Sequence, residues 1–293
     1  MEEKKAINQQ SFWDRLRYYK RNPFSLFLAV LVVLSAVITL AVLVALLVYI
    51  LAKGIPNLKP ELFAWEYNTT NVSMMPAIIN TLLITTMTLL LAVPAGIFAA
   101  IYLVEYAKRG NKLVPIVRMT TETLSGIPSI VFGLFGYLFF NIYLGWGYSI
   151  LGGALTLAIM VLPLIMRTTE EALRSVPDAF REGSFGLGAG KLRTVFQVVL
   201  PSAVPGILAG VILAVGRIVG ETAALLYPAG TAAVVADGFF SSGRTLAVHM
   251  YALLNEGLYM EQAYATAVVL LIMVVGINAL SAFIAKKAGV KES

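Results

Sequence analysis

The run FSLFLAVLVVLSAVITLAVLVALLVYILA, at residues 24–52, contains no charged side chain. An α-helix crosses the hydrocarbon core of a bilayer with roughly 20 apolar residues, and this run is longer than that. It is also longer than the apolar core of a signal peptide, which has about 7–15 residues. Residues 24–52 are therefore predicted to form a retained first transmembrane helix.

Apolar runs of a similar kind recur along the rest of the chain. They lie at residues 78–103, 124–144, 150–166, 204–226 and 264–284. Of the 293 residues, 59% are hydrophobic and only 13% are charged, which is about half the charged share of a soluble domain. The alternating segments that build a membrane β-barrel are not seen. The sequence thus predicts an all-α integral membrane protein with six transmembrane helices.

Lysine and arginine are unevenly distributed between the predicted loops. Basic residues of membrane proteins concentrate on the cytoplasmic side. One side would hold residues 1–23, the loops after the second and fourth runs, and residues 286–293, all rich in basic residues. The other side, with an external loop at residues 53–77, would hold only Lys53, Lys59 and Arg244. Both termini are therefore predicted to be cytoplasmic, and contact with membrane lipid, rather than nucleic acid, accounts for the net charge of +6.

The longest predicted cytoplasmic loop, residues 167–203, is apolar enough to be ordered. One apolar helical face is predicted from Ala172, Leu173, Val176, Ala179 and Phe180, and a second face from residues 195–200. The pattern favours a helix–Gly–helix element lying against the membrane. Such an element either presents a docking surface to a cytoplasmic partner or simply connects two spans, and the pattern alone leaves both open.

Arg217 and Glu221 are charged residues within the predicted fifth span, in the run GRIVGETAALL at residues 216–226. Charges at membrane depth usually face a partner or a wet cavity. At positions i and i+4 the two side chains would share one helix face and could pair with each other. One interpretation is a buried ion pair that only fixes helix packing. The other is that Arg217 lines a path and meets an anion, because a guanidinium group suits oxyanions.

Hydroxyl side chains near these charges are further candidates for the path. Thr222 directly follows Glu221, and Ser125 and Ser129 lie in the third apolar run. A serine in a membrane helix more often bonds its own backbone, so these two are weaker candidates. Prolines at positions 94, 128 and 163 fall within or near the ends of predicted spans, where proline often marks a kink.

Catalytic and metal chemistry find little support in the sequence. There is no cysteine, and the single histidine, His249, has no set of Cys, His, Asp or Glu residues nearby at metal-ligand spacing. The chain contains no G-x-x-x-x-G-K-[ST] phosphate loop. No metal and no cofactor are expected, and an intramembrane enzyme would need a nucleophile and base that the predicted spans do not supply.

Residues 182–201, EGSFGLGAGKLRTVFQVVLP, resemble the EAA loop of importer-type ABC permeases. The family pattern is Glu-Ala-Ala, three residues, Gly, nine residues, an aliphatic residue, one residue and Leu-Pro. The positions that match this spacing are Glu182, Gly188, Val198, Leu200 and Pro201, while Gly183 and Ser184 replace the two alanines. In that family the loop forms a coupling helix held in a groove of a separate ATPase subunit, which binds the ATP.

Three further stretches are similar to phosphate-specific ABC importer permeases of the PstA type. They are RIVGETA at residues 217–223, ETLSGIPSIVFGLFG at residues 122–136 and SVPDAFREGS at residues 175–184. In that family an arginine and a glutamate are implicated in phosphate passage, and they map onto Arg217 and Glu221. Many relatives have proline where this chain has Ala224, which leaves the position of the pair less certain.

The resemblance implies the type I importer, MetI-like architecture, with a permease core of five transmembrane helices at residues 78–285. It implies a permease subunit of an ATP-driven phosphate importer in a prokaryotic inner membrane. The implied partners are a second homologous permease subunit, two ATPase subunits and an external phosphate-binding protein. A permease for another oxyanion, such as sulfate or molybdate, is the nearest alternative, and a membrane scaffold without a transport role is a more distant one.

Overall fold

The computed structural model describes residues 23–108 and 110–287. The predicted cytoplasmic segment 1–23 lies outside these residues except for Pro23, and so does the predicted tail from residue 288 onward. The chain divides into two compact units, one that ends at Ala52 and one that begins at Lys53. In the first unit the described residues form helix α1, Pro23–Gly54, whose last two residues belong to the second unit.

The described residues of the second unit form helices that are named α2 to α10 in chain order. They are α2 (Met75–Ile101), α3 (Leu113–Ser125), α4 (Ser129–Gly136), α5 (Ile150–Ser175), α6 (Asp178–Gly186), α7 (Lys191–Thr194), α8 (Leu200–Val219), α9 (Leu246–Glu256) and α10 (Met260–Lys287). Turns of π-helix extend α2 through Tyr102–Tyr106 and α4 through Tyr137–Tyr143, and a third joins α7 to α8 at Val195–Val199. Two short 3₁₀ turns, Ile55–Asn57 and Pro60–Phe63, precede α2.

Five helical stretches of the described chain are long and apolar enough to cross a membrane. They are Pro23–Asn57, Met75–Tyr106, Ile150–Ser175, Lys191–Val219 and Met260–Phe283. A sixth span results if the bent pair Leu113–Ser125 and Ser129–Tyr143 counts as one. The predicted all-α membrane fold is therefore confirmed.

The bent pair differs from the continuous third span that was predicted at residues 124–144. α3 and α4 meet at an angle of 100°. Pro128 is the cause, because proline keeps the preceding residue, Ile127, out of the helical region of backbone space. The stretch from Ser129 to Tyr143 extends only ~22 Å at 1.5 Å per residue, which is less than the hydrocarbon core of about 30 Å.

Helix α5 lies at the centre of the second unit, between α2 and α8. Its buried side chains Leu157, Val161 and Ile165 belong to one apolar cluster with Ile84 of α2 and Ile218 of α8. A Cβ atom added at Gly206 of α8 would lie 2.7 Å from Ala172 of α5, so the two backbones approach closely there. This close packing makes α5 the element against which the site residues are arranged.

The predicted helix–Gly–helix element is present. α6 ends at Gly186, Gly188 has a φ of +82°, and α7 begins at Lys191. Glycine suits this turn because a positive φ costs it no steric strain. The predicted single apolar face from Ala172 to Phe180 is wrong, because α5 ends at Ser175 and a new helix begins after Pro177.

Candidate functional site

Helix α8 ends earlier than the sequence predicted. The predicted span ran to residue 226, whereas α8 ends at Val219 and Gly220 caps it. Glu221 lies beyond this end, and its carboxylate accepts a hydrogen bond from the backbone N–H of Ala224 at 3.2 Å. Glycine is a poor helix former, and a carboxylate that accepts from a backbone N–H three residues later starts a new turn. The two effects together break the helix at this point.

The break separates the two charged residues that the sequence placed on one helix face. Arg217 lies in the last turn of α8, and Glu221 lies after the helix end. The salt bridges found among residues 23–108 and 110–287 do not include one between them. The prediction of a shared helix face is therefore wrong. The span was extended to residue 226 because the sequence stays hydrophobic, and hydropathy does not detect where the backbone hydrogen bonds of a helix end.

The segment that follows the break, residues 221–245, is irregular but held in place by other parts of the protein. Its carbonyl groups accept hydrogen bonds from the start of α5: Pro228 from the N–H of Ser149 at 2.9 Å, and Ser241 from that of Ile150 at 3.0 Å. These bonds satisfy N–H groups that have no partner within α5. Non-helical backbone at membrane depth is tolerated where protein covers it or where it lines a wet cavity.

The bend between α3 and α4 packs against this same segment. A Cβ atom added at Gly133 of α4 would lie 2.7 Å from the carbonyl oxygen of Ala223 and 3.1 Å from the Cα of Ala224. Two helix interruptions, one at residues 126–128 and one at residues 220–221, therefore belong to elements in direct contact. Discontinuous helices of this kind form the substrate sites of many transporters.

A cavity of about 340 Å³ lies between α3, α5 and the end of α8. Its lining extends along α5 from Met160 to Arg174, and it contains Arg217 and Ser125 of the predicted path residues. Ser129, Glu221 and Thr222 are not among its lining residues. The ionisable side chains of the lining are Arg118, Arg167, Arg174, Arg217, Glu122, Glu170 and Glu171.

Most of the arginines in this cavity already have a carboxylate partner. Glu170 pairs with Arg118 of α3 and with Arg174 of α5, both at 2.5 Å. Arg167 pairs with Glu171 at 3.1 Å. Arg217, by contrast, makes no ion pair and no side-chain hydrogen bond with any residue that the structure describes. Its guanidinium group is therefore available to an anion in the cavity.

The two predicted hydroxyl candidates of the bent pair differ in their positions. The Ser125 hydroxyl donates to the carbonyl oxygen of Glu122 at 2.7 Å, which is the local backbone bond expected of a membrane serine. Ser129 is the first residue of α4 and lies outside the cavity. Only Ser125 therefore shares a cavity with Arg217.

The sequence reasoning missed the charged residues of α5. Arg167, Glu170 and Arg174 were assigned to a loop because the apolar run ends at residue 166. The helix continues to Ser175 since no glycine or proline lies between Pro163 and Pro177. The absence of a helix breaker in this stretch, together with the i,i+4 spacing of Glu170 and Arg174, was the signal that could have identified them.

The predicted coupling residues lie at the far end of α5 from residues 221–245. Glu182, Gly183 and Ser184 are in α6, and Val198, Leu200 and Pro201 are in the helical stretch after the Gly188 turn. Two leucines beside them lie on the surface: Leu187 is 92% exposed and Leu192 is 67% exposed. Exposed apolar side chains on a membrane protein contact lipid or another protein.

Arg181 connects α6 to two other helices, and the sequence reasoning did not single it out. Its guanidinium group donates to the Glu105 carboxylate at 2.7 Å and 3.1 Å. It also donates to the carbonyl oxygens of Leu173 and Val176, each at 2.8 Å. Arg181 thereby satisfies carbonyl groups at the end of α5 and ties α6 to the end of α2.

Comparison with known proteins finds a family and several relatives. Residues 92–288 match the family described as "Binding-protein-dependent transport system inner membrane component". The chain is 38% identical over 245 residues to "Probable ABC transporter permease protein YqgI" of Bacillus subtilis, which covers 77% of this chain and 81% of that protein. It is also 38% identical over 195 residues to "Phosphate transport system permease protein PstA" of Mycobacterium leprae, covering 64% of this chain and 62% of that protein.

Solved structures show the same fold at low sequence identity. A chain from the inward-facing MetNI methionine ABC transporter has a TM-score of 0.58 at 21% identity, covering 73% of this chain and 93% of that chain. A chain from the bacterial alginate ABC transporter in complex with its periplasmic protein has a TM-score of 0.67 at 16% identity, covering 90% of this chain and 96% of that chain. At these identities the likeness concerns the fold alone.

Proposed function

The chain belongs to the binding-protein-dependent transport system inner membrane components, and we propose that it is the permease subunit of a phosphate importer. Membership makes it a multi-pass inner membrane subunit of an ABC importer, which works with an ATPase and a binding protein and is not itself catalytic. Phosphate as the substrate, a second homologous permease subunit and cytoplasmic termini are parts of the proposal.

One observation supports the choice of an anionic substrate. Arg217 faces the cavity without a carboxylate partner among the described residues, whereas Arg118, Arg167 and Arg174 are each paired. A guanidinium group presents planar donors that match the oxygens of phosphate. Thr222, Ser125 and Ser129 adjoin the two helix interruptions, where their hydroxyl groups would contact an anion that moves past Arg217. Glu221 would offset the charge of Arg217 when no anion is bound. A single arginine binds weakly enough for the anion to leave again.

The proposed energy source, a separate ATPase, acts at the other end of α5. In the proposal, α6 and the turn at Gly188 dock on the ATPase through Glu182, Gly183, Ser184, Val198, Leu200 and Pro201. Closure of the ATPase dimer on ATP moves α6, and alternating access follows. The exposed Leu187 and Leu192 would be covered in that complex.

The test is uptake of radiolabelled phosphate by vesicles that contain this chain with its partner subunits and binding protein. We expect Arg217→Ala to reduce uptake by about 10–100-fold, because a hydrogen bond to a charged group contributes about 1.5–3 kcal/mol. Arg217→Lys should give an intermediate rate, since it keeps the charge and loses the planar donor pair. Lys112→Ala, an exposed cation at the start of α3, should behave as wild type.

Two results would change the proposal. Normal phosphate uptake by Arg217→Ala, in a complex that assembles fully, would return Arg217 to a packing role. Uptake of sulfate or molybdate in place of phosphate would support a permease but change the anion that it is proposed to transport.

A further inference from the structure

Glu122 is a carboxylate of the cavity that contains Arg217, and the proposed function leaves it unused. The face of α3 that lines the cavity has four residues at the spacing of one helix side: Arg118, Thr121, Glu122 and Ser125. Between two of them, Leu124 packs against the buried apolar cluster that contains Ile218 of α8. The helix that carries Glu122 and the helix that carries Arg217 therefore pack against one core beside this cavity.

The other carboxylates of the cavity are already paired. Glu170 and Glu171 account for the three other arginines of the lining. Arg118 has the i,i+4 spacing to Glu122 that often gives an ion pair, yet it pairs with Glu170 instead. Within residues 23–108 and 110–287, the Glu122 carboxylate makes no ion pair and accepts no hydrogen bond. The cavity is thus left with one cationic donor, Arg217, and one anionic acceptor, Glu122.

The cavity leaves space for a solute to reach both groups. Its volume is about 340 Å³, whereas one water molecule occupies about 30 Å³ of the liquid. Glu122 is an exposed residue, so a solute has access to its carboxylate. The hydroxyl groups of Thr121 and Ser125 donate to carbonyl oxygens of α3, each at 2.7 Å. These hydroxyl groups are neutral, and Glu122 is therefore the acceptor that responds to the charge of the solute.

A free guanidinium group and a free carboxylate together favour an oxyanion that carries a proton. Phosphate retains at least one proton at neutral pH, so its ionised oxygens accept from Arg217 while its hydroxyl group donates to Glu122. Sulfate and molybdate carry no proton at neutral pH and would place a negative oxygen against the carboxylate. Juxtaposed like charges are costly, and a site that hydrogen-bonds a substrate hydroxyl rejects an analogue that lacks it.

We propose that Glu122 is a specificity-determining residue, which accepts a hydrogen bond from the protonated oxygen of phosphate and excludes sulfate and molybdate. The inference rests on the proposed function, because it concerns the anion that Arg217 binds. It extends that function from an anion to a chemical class, the protonated oxyanions. Arsenate, which also keeps a proton at neutral pH, belongs to this class.

The test measures anion binding without the external binding protein, since that protein would select its own ligand first. Inorganic phosphate is mixed with the nucleotide-free complex of this chain and its partner subunits, and the phosphorus NMR line width is recorded. The part of the broadening that Arg217→Ala removes reports binding in the cavity. Arsenate or sulfate is then added as a competitor at constant ionic strength. We expect arsenate to reverse this broadening and sulfate to require a concentration at least about tenfold higher.

Glu122→Gln should lower the required sulfate concentration by about tenfold, because the amide keeps the shape of the side chain and removes its charge. Glu256→Gln, which removes an exposed carboxylate at the end of α9, should keep the wild-type ratio of the two competitors.

The possible failures of this experiment differ in what they overturn. Equal competition by sulfate and arsenate in the wild type, or unchanged exclusion of sulfate by Glu122→Gln, would remove the role of Glu122 and leave phosphate as the proposed substrate. A wild type without any broadening that depends on Arg217 would overturn the proposed phosphate site as well. The wild-type comparison of the two competitors is decisive even where Glu122→Gln fails to fold.

Discussion

Glu170 is the carboxylate that links two helices of the cavity wall. Its side chain is 13% exposed and pairs with Arg118 of α3 and Arg174 of α5. Its neighbour Glu171 pairs only with Arg167, and those two side chains are 65% and 69% exposed. Adjacent positions on one helix therefore provide a sheltered carboxylate and a solvated one for comparison.

We expect Glu170→Gln to lower the free energy of unfolding by about 1–3 kcal/mol, because a sheltered carboxylate loses its charge-assisted bonds to two guanidinium groups. Glu171→Gln should change it by less than about 1 kcal/mol, as exposed ion pairs contribute little. Thermal unfolding midpoints of the two purified variants provide the measurement. Equal shifts in both variants would contradict the role assigned to Glu170.

The buried imidazole of His249 makes the free energy of unfolding depend on pH. Its pKa is about 3 in the folded protein, against 6.5 for the ordinary group, so the unfolded chain binds more protons between these values. Stability is therefore full above about pH 6.5 and declines as the pH falls toward 3, by up to about 1.4 kcal/mol per pH unit. His249 is the single histidine of the chain, so no other imidazole in it contributes.

The variant His249→Gln should show a shallower loss of stability between pH 6.5 and pH 5.5, where the carboxylates remain ionised. Unfolding midpoints of wild type and variant across this range supply the comparison. Parallel curves would show that the buried imidazole does not control the acid response.

The junction between α5 and α6 depends on the side chain of Arg181. Glu105 is 9% exposed and Arg181 is 15% exposed, so the pair is sheltered, whereas its other partner Asp178 is 86% exposed. Arg181→Gln should leave ATP hydrolysis by the complex in place while uptake falls about tenfold or more, because α6 would move without α5 and α2.

The measurement is the ratio of ATP hydrolysed to substrate transported. Glu105→Gln should raise this ratio as Arg181→Gln does, and Asp178→Asn should leave it unchanged since the bonds to Glu105 and the two carbonyl groups remain. A parallel fall in hydrolysis and uptake would instead indicate a misfolded subunit.

The contact between α4 and the segment after Glu221 has no space for a side chain. Gly133→Ala would bring Cβ to 2.7 Å from the carbonyl oxygen of Ala223, and neither backbone can yield easily. We expect a loss of about 1–3 kcal/mol in the free energy of unfolding, as for other overpacked positions. Gly276→Ala in α10, where nothing lies within 4 Å, should stabilise the helix by about 0.5–1 kcal/mol. A lower unfolding midpoint for both would contradict the steric argument.

Across the whole chain, the sequence predicted what depends on local composition. The spans follow from apolar runs, and the bend at Pro128 follows from one residue. The end of α8 could not be predicted in this way. Residues 222–226 continue the hydrophobic run, whereas Gly220 and the Glu221 carboxylate end the helix. The pairing of Glu105 with Arg181 could not be predicted either, since the two residues are 76 positions apart and no local pattern relates them.

The cavity was predicted only in part for the same reason. Arg217 was identified because a charge within an apolar run is conspicuous. Arg118, Glu170 and Arg174 were read as ordinary loop charges, since their role depends on how α3 and α5 pack. Three-dimensional packing thus determines which arginines of the cavity have a carboxylate partner and that Arg217 has none among the described residues.

Helix α5 is continuous over 26 residues, about 39 Å, lines the cavity over half its length and ends at the carbonyl groups that accept hydrogen bonds from Arg181. A displacement of α6 would therefore be transmitted along α5. A tilt of about 10° would swing its far end by ~7 Å over that length. The start of α5 is bonded to the irregular segment at Pro228 and Ser241, so the same tilt would also move residues 221–245 at the opposite end of the helix.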